Sequence, residues 1–281
     1  MASAFLIGLR EGLEAALILA ILLTYLRRTG RGGDATFVWI GAGSAAVACL
    51  VAGLLVSAFL DGLHGRVEYA VEGGIALAAT AVLTHMVFWM RRNARTLSSE
   101  LHGRVARAAA ASLAVVAFVA VAREGLETVL FLLGSDTTSA SGAGTLVGGL
   151  LGLAAAGVLG VLVFAGGRTM NLSAFFNVTA VLLLLFAAGM TARAVHEFIE
   201  LASLEDAWFA RAAWTVAEGP WASGTLYDFL HGLLGWSGSP EIAAVVAYVG
   251  YLVPVVALYV ARTGSAPPVA AGDGRPALTH N

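Results

Sequence analysis

Long apolar runs are the feature that most constrains this sequence. Seven stretches of mostly apolar residues follow one another, and each approaches the length of about 20 residues that a membrane-spanning helix needs. Hydrophobic residues make up 59% of the chain and charged residues only 12%, whereas soluble domains carry about 25% charge. The sequence therefore predicts an all-α integral membrane protein, with spans near Ala4–Leu26, Phe37–Leu60, Tyr69–Met90, Ala108–Leu133, Thr145–Gly166, Ala174–Val195 and Ile242–Ala261.

The arginines predict how these spans are oriented. All 16 basic residues are arginine, and cytoplasmic loops are enriched in basic residues. One set of loops and the C-terminal end carry Arg27, Arg28, Arg31, Arg91, Arg92, Arg95, Arg104, Arg107, Arg168, Arg262 and Arg275. The opposite loops carry only Arg66, Arg193 and Arg211. We therefore expect the N-terminus outside and the C-terminus inside.

Two segments outside the spans also carry a prediction. The segment from Arg193 to Glu241, expected outside, contains seven acidic residues and two arginines. It is either a solvated loop or a vestibule that concentrates cations, because a patch of one sign attracts counter-ions. At the other end, residues 263–281 are predicted to form a disordered cytoplasmic tail beyond a transmembrane domain of residues 1–262.

One charged pentapeptide, Arg-Glu-Gly-Leu-Glu, occurs twice inside the apolar runs, at residues 10–14 and 123–127. The two copies indicate an internal duplication, with repeat one at about 1–92, repeat two at about 104–200 and a last helix at about 241–262. Each repeat has three spans, so the second enters the membrane from the opposite side. This predicts an inverted-topology repeat, which many transporters use to build a site near the middle of the membrane.

The charges of the two motifs favour a function within the membrane. Each charge at the bilayer centre costs about 2.5–3.5 kcal/mol, so six cost on the order of 15 kcal/mol before pairing offsets part of it. Pairing with the two motif arginines would fasten helices together, but it leaves two carboxylates over. The set of Glu11, Glu14, Glu124 and Glu127 offers only oxygen ligands, which suit a hard cation. We expect Arg10 and Arg123 to balance the charge of these carboxylates.

The doubled motif in a seven-span chain resembles the oxidase-dependent iron permeases, and in particular their bacterial high-affinity ferrous iron permeases. The stretches Phe5–Leu17, Thr84–Met90, Ala120–Glu127 and Asn171–Phe176 are similar to the bacterial branch, and the resemblance covers about residues 1–262. It implies that the four motif glutamates carry iron.

The resemblance also implies a setting and partners. We expect a multi-pass protein of the bacterial cytoplasmic membrane that takes up iron after a partner has oxidised it to the ferric state. The expected partners are extracytoplasmic haem peroxidase-like and cupredoxin-like proteins. Iron is the substrate, and no tightly bound cofactor or nucleic acid is expected. Two other functions stay open: a less selective divalent-metal or proton-coupled cation transporter, and a membrane subunit that transports nothing and whose motifs only fasten helices.

Further side chains are candidates for contact with an incoming ion. Glu68 and Glu72 lie one turn apart where the third span begins, and they either bind the ion or favour the start of the helix through its dipole. At the outer end of the sixth span, His196, Glu197 and Glu200 either capture metal or form a solvated helix end.

One histidine and one short string complete the candidates. His85, inside the third span, is expected either to pack or to modulate the passage of protons or metal; the family has an aromatic residue here. The string His-Glu-Phe-Ile-Glu at residues 196–200 lacks the second histidine of a zinc protease. We therefore expect no enzymatic activity.

Overall fold

The computed structural model describes residues 2–93, 110–136, 142–164 and 172–261. Within these ranges the chain forms eight α-helices and two short 3-10 turns, and its only β-pairing is one isolated bridge between Ala212 and Glu241. The predicted all-α class is confirmed. The helices are α1 (Ala2–Arg28), α2 (Ala35–Leu60), α3 (Arg66–Asn93), α4 (Ala110–Asp136), α5 (Gly142–Phe164), α6 (Leu172–Ala202), α7 (Thr225–Leu234) and α8 (Ile242–Ala261).

Five of the described helices are long and apolar enough to cross a membrane, namely α2, α3, α5, α6 and α8. Large apolar side chains are exposed on them, among them Leu55 on α2, Leu150 on α5 and Val253 on α8. A continuous apolar surface of this kind marks contact with a membrane. The two other long helices, α1 and α4, are set apart by the three charges of the motif that each contains. Seven spans and their orientation therefore stay predictions.

Each long helix of the first half of the chain packs mainly on a helix of the second half. α1 lies mainly against α5 and α2 mainly against α4, while α3 packs on α6 and α1 also touches α4. If α1 is made equivalent to α4, α2 to α5 and α3 to α6, the first two contacts interchange and the other two map onto themselves. This is the contact pattern that an inverted repeat would produce.

The glycine of each motif lies at a contact between the two halves, Gly12 where α1 meets α5 and Gly125 where α4 meets α2. A Cβ atom at Gly12 would lie 2.7 Å from the Cβ of Ala156 on α5, and a Cβ atom at Gly125 would lie 2.6 Å from the Sγ of Cys49 on α2. Side chains do not approach so closely. Glycine at these positions therefore lets the exchanged helix pack directly beside the motif, as small residues do in membrane proteins.

The outer segment differs from the prediction in two respects. α6 continues beyond the predicted span to Ala202, so Arg193, which was counted with the loops, lies inside the helix. The polar residues of this last part are compatible with a helix because several of them pair with side chains of α3 and the segment before α8. The segment after α6 also contains α7, which the sequence did not predict and which ends at Gly235 in a left-handed conformation.

α7 packs against the middle of the helix assembly. An added Cβ at Gly189, about halfway along α6, would lie 2.8 Å from the Cα of Gly235, and Gly232 lies beside Ser3 at the start of α1. The N-terminal end of α1 is therefore covered by α7.

Some predictions fall on residues outside the described ranges. They concern the tail at residues 263–281 and the loop arginines Arg95, Arg104, Arg107, Arg168, Arg262 and Arg275.

Candidate metal centre

The first motif places three charged side chains together in the interior. Arg10, Glu11 and Glu14 are all buried on α1. Arg10 Nη1 donates to Glu11 Oε1 at 2.8 Å, and Arg10 Nη2 lies 3.2 Å from Glu14 Oε1. The second distance follows from the i, i+4 spacing, which puts both side chains on one face of the helix. One guanidinium thus faces two carboxylates.

The second motif repeats this arrangement on α4 with a more open arginine. Arg123 Nε donates to Glu127 Oε1 at 3.0 Å and lies 4.0 Å from Glu124 Oε1. Glu124 is buried, but 45% of the Arg123 side chain is exposed. The two motifs therefore have the same residues, but the arginine of the second motif is much more exposed than that of the first.

The two motifs meet where α1 and α4 touch. One carboxylate oxygen each of Glu11, Glu14 and Glu124 lies within 4.8 Å of the others, the one such group of three or more metal-binding side chains in residues 2–93, 110–136, 142–164 and 172–261. Glu127, the fourth predicted ligand, is not part of this trio and is held instead by Arg123.

Several carboxylate oxygens at this meeting point lack a hydrogen bond. The Oε2 atoms of Glu11, Glu124 and Glu127 are buried without a hydrogen-bond partner, and Glu14 Oε1 has only its ion pair with Arg10, which is not aligned as a hydrogen bond. An unpaired buried oxygen is costly, and a carboxylate oxygen is a good ligand for a hard cation. The donor set therefore fits a metal cation.

α3 supplies contacts to both motif arginines. Arg10 Nη1 lies 3.6 Å from the Sδ of Met86 and Arg10 Nη2 3.7 Å from the Sδ of Met90. The Arg123 guanidinium lies over the ring of Trp89 at 4.8 Å. These three residues were missed from the sequence, although the i, i+4 spacing of the methionines is a signal. His85, which was expected either to pack or to modulate passage, is exposed and has no described contact with this group.

A second charged cluster, called here the outer cluster, lies at the N-terminal end of α3 and the C-terminal part of α6, the ends that are predicted to lie outside. Arg193 Nη2 donates to Glu72 Oε2 at 3.0 Å and to Glu197 Oε1 at 3.3 Å. Arg193 and Glu197 have the same i, i+4 spacing as the arginine and second glutamate of each motif. Along α3, Glu72 and Met86 are about 21 Å apart at 1.5 Å per residue. The outer cluster is therefore distinct from the motif centre, which consists of the four glutamates and two arginines of the two motifs.

The other predicted outer ligands are dispersed. His196 is exposed and lies 2.9 Å from Glu241 Oε1. Glu68 accepts a hydrogen bond from the backbone N–H of Gly65 at 3.2 Å, which fixes the start of α3. Glu200 lies one turn beyond Glu197 on α6. Of the five candidates, only Glu72 and Glu197 share a partner.

Comparison with known proteins gives a consistent result. The chain matches the Iron permease FTR1 family over residues 1–264. It is 36% identical over 261 residues to the Ferrous iron permease EfeU of Yersinia pestis, covering 91% of this chain and 92% of the relative. It is also 36% identical over 262 residues to the protein of that name from Escherichia coli O6:K15:H31, covering 91% and 94% of the two chains. No solved structure is a significant match to the chain.

Proposed function

Because this chain belongs to the FTR1 iron permease family, we propose that it moves iron across the bacterial cytoplasmic membrane through a carboxylate site formed by its two charged motifs. The observation that carries the proposal is the approach of Glu11, Glu14 and Glu124 to within 4.8 Å of one another. Glu127 completes the ligand set when iron draws it away from Arg123.

The charge of the motif centre suits a multivalent cation. Four carboxylates and two guanidinium groups sum to −2 when all are ionised. A divalent ion neutralises that charge, and a trivalent ion leaves the centre at +1, so the inside-negative potential favours its release inward. Iron also satisfies the buried carboxylate oxygens that lack a hydrogen bond. In its absence Arg10 and Arg123 reduce the repulsion among the carboxylates.

The exchanged helix packing supports alternating access. In the inverted-repeat interpretation, α1 with α5 and α2 with α4 form two equivalent pairs that meet at the motif centre. Tilting one pair against the other opens the centre first to one side and then to the other. With the N-terminus outside and the C-terminus inside, the outer ends of α3 and α6 then face the source of iron.

The outer cluster is the first site at which iron binds on its way inward. Glu72 and Glu197 are held by Arg193 at the outer ends of α3 and α6, and Glu68, His196 and Glu200 extend the polar surface around them. The acidic outer segment draws cations to this end. Iron arrives there from extracytoplasmic haem peroxidase-like and cupredoxin-like proteins, the first of which oxidises it.

Iron uptake by iron-starved cells that lack other importers tests the proposal. The cells receive radiolabelled iron and express the wild type, Glu14→Gln or Glu127→Gln at matched membrane levels. Both variants keep the shape of the side chain and remove one charge, so we expect each to abolish uptake. Glu218→Gln, an exposed residue far along the outer segment, is the matched control and should keep wild-type uptake.

Wild-type uptake by both motif variants would mean that the motifs only fasten helices. Uptake of manganese or lead at the same rate as iron, lost in the same variants, would replace the proposal with a less selective divalent-metal transporter. No iron uptake by the wild type with its partners present would refute the transport function itself.

A further inference from the structure

The guanidinium of Arg10 has more partners than charge balance requires. Its two terminal nitrogens are each shared between a carboxylate and a thioether. Nη1 lies 2.8 Å from Glu11 and 3.6 Å from the Sδ of Met86, and Nη2 lies 3.2 Å from Glu14 and 3.7 Å from the Sδ of Met90. The carboxylates come from α1 and the thioethers from α3, so the guanidinium bridges the two helices.

The thioethers matter because Arg10 has no route to solvent. The residue is 2% exposed, and a guanidinium has no acceptor atoms and keeps its charge at every physiological pH. If a cation takes the oxygens of Glu11 and Glu14, the guanidinium loses the partners that hold it on α1. Thioether sulfur is a weak acceptor but a polarisable one on a flexible side chain, so it can stay with the guanidinium as the carboxylates turn away.

We propose that Met86 and Met90 are positioning residues that hold Arg10 beside the motif centre while iron occupies the carboxylates. The inference rests on the proposed function, because it concerns the same centre. In the empty centre Arg10 shares its N–H groups between the two helices. In the loaded centre Arg10 remains on α3 through the two sulfurs, and the carboxylate oxygens are available to the ion.

The arginine of the second motif has different surroundings from Arg10. Arg123 has a side chain that is 45% exposed and lies over the ring of Trp89 at 4.8 Å. A cation–π contact leaves the N–H groups at the ring edge open to other partners, and the partly exposed side chain is less confined than that of Arg10. Arg123 therefore needs no thioether, whereas the buried Arg10 does.

Replacing both methionines by leucine should weaken iron binding without blocking transport. Leucine keeps the apolar volume and removes the acceptors, so Arg10 retains only Glu11 and Glu14 and competes with iron for them. We expect the KM for iron to rise about three- to tenfold, the range given by the combined loss of two weak hydrogen bonds. The Vmax per transporter should stay within about twofold, because leucine in place of methionine usually preserves packing.

The experiment measures KM and Vmax for radiolabelled iron in the uptake cells described above. It compares wild type, the Met86→Leu/Met90→Leu variant and the Met86→Gln/Met90→Gln variant, in which amide oxygens replace the sulfur acceptors. Met190→Leu is the matched control, since Met190 is buried like Met86 in the same apolar core and has no contact with Arg10 among the described interactions. We expect the glutamine variant to return KM to within about twofold of wild type and the control to leave KM unchanged.

Other results would overturn the inference. An unchanged KM in the leucine variant, an equal rise in Met190→Leu, or a failure of glutamine to restore KM would each do so. A glutamine failure together with lost competition by silver ions would make the sulfurs metal ligands instead. If the double leucine variant does not reach the membrane, Met90→Leu alone is measured against the same thresholds. In every one of these cases the proposed function is still supported if the wild type takes up iron and Glu14→Gln does not.

Discussion

Arg10 and Glu11 form an ion pair of 2.8 Å whose side chains are 3% and 1% exposed, and Arg31 and Asp34 form one of the same length whose side chains are 30% and 26% exposed. Removing one partner of a buried pair costs about 3–5 kcal/mol, because the charge that remains is buried and uncompensated. The Arg31–Asp34 pair stays partly accessible to solvent, and pairs that solvent reaches are worth about 0–1 kcal/mol. Arg10→Met should therefore lower the free energy of unfolding by about 3–5 kcal/mol, and Arg31→Met by less than about 1 kcal/mol.

Thermal unfolding of the purified protein in detergent, followed by tryptophan fluorescence, measures this difference. One kcal/mol shifts the midpoint by about 2–4 °C in a domain of 150–250 residues. Applied to this slightly longer chain, that scale gives a drop of about 6–20 °C for Arg10→Met and of at most about 4 °C for Arg31→Met.

A double variant separates lost charge compensation from lost packing. Arg10→Met/Glu11→Gln removes both members of the buried pair, and it should recover part of the midpoint lost in Arg10→Met because one of the two carboxylates that Arg10 compensates is neutralised. Equal midpoints for Arg10→Met and Arg31→Met would refute the reasoning. So would a double variant that is less stable than Arg10→Met alone.

Three further expectations follow from the geometry. Gly189→Ala should lower stability by about 1–3 kcal/mol because the new Cβ meets the backbone of α7, whereas Gly250→Ala, with open space around it, should stabilise α8 by up to about 1 kcal/mol; equal midpoints in the unfolding assay would contradict the close contact. His85→Phe should leave iron uptake at the wild-type rate because the side chain is exposed and makes no described contact with either charged cluster, and a large loss of uptake would place it on the path. Glu72→Gln and Glu197→Gln should each raise the KM for iron and keep Vmax, and a fall in Vmax alone would argue against a role in first capture.

The helix faces of the motifs could be predicted, and the partners of those faces could not. Spacing of four residues puts Arg10 and Glu14 on one side of any α-helix, so their ion pair follows from the sequence. The contact of Arg10 with Met86 joins residues 76 positions apart, and it depends on the angles at which the tertiary fold brings α3 within reach of α1. No local pattern contains those angles.

The surroundings of two side chains on α3 and α6 could not be predicted from the sequence, for different reasons. His85 follows Leu77 by eight residues, about two helical turns, and both lie on the exposed face; the buried stripe through Ala79, Leu83 and Met86 was the better guide to which face points inward. Arg193 was counted with the loops because it lies at the end of an apolar run. The helix continues since Glu72 on α3 gives the arginine a partner inside the protein, which hydropathy does not measure.

The exchange of partners between the two halves also constrains how the chain is made. α1 finds its most extensive contact on α5, where Gly8 meets Gly149 and Gly152, so roughly 140 further residues must leave the ribosome before that surface exists. At about 5–20 residues per second, the first helix waits on the order of ten seconds in the membrane with its three charges and without its principal neighbour. Neither half is expected to persist as an independent folding unit, because each would expose the surface that only the other half covers.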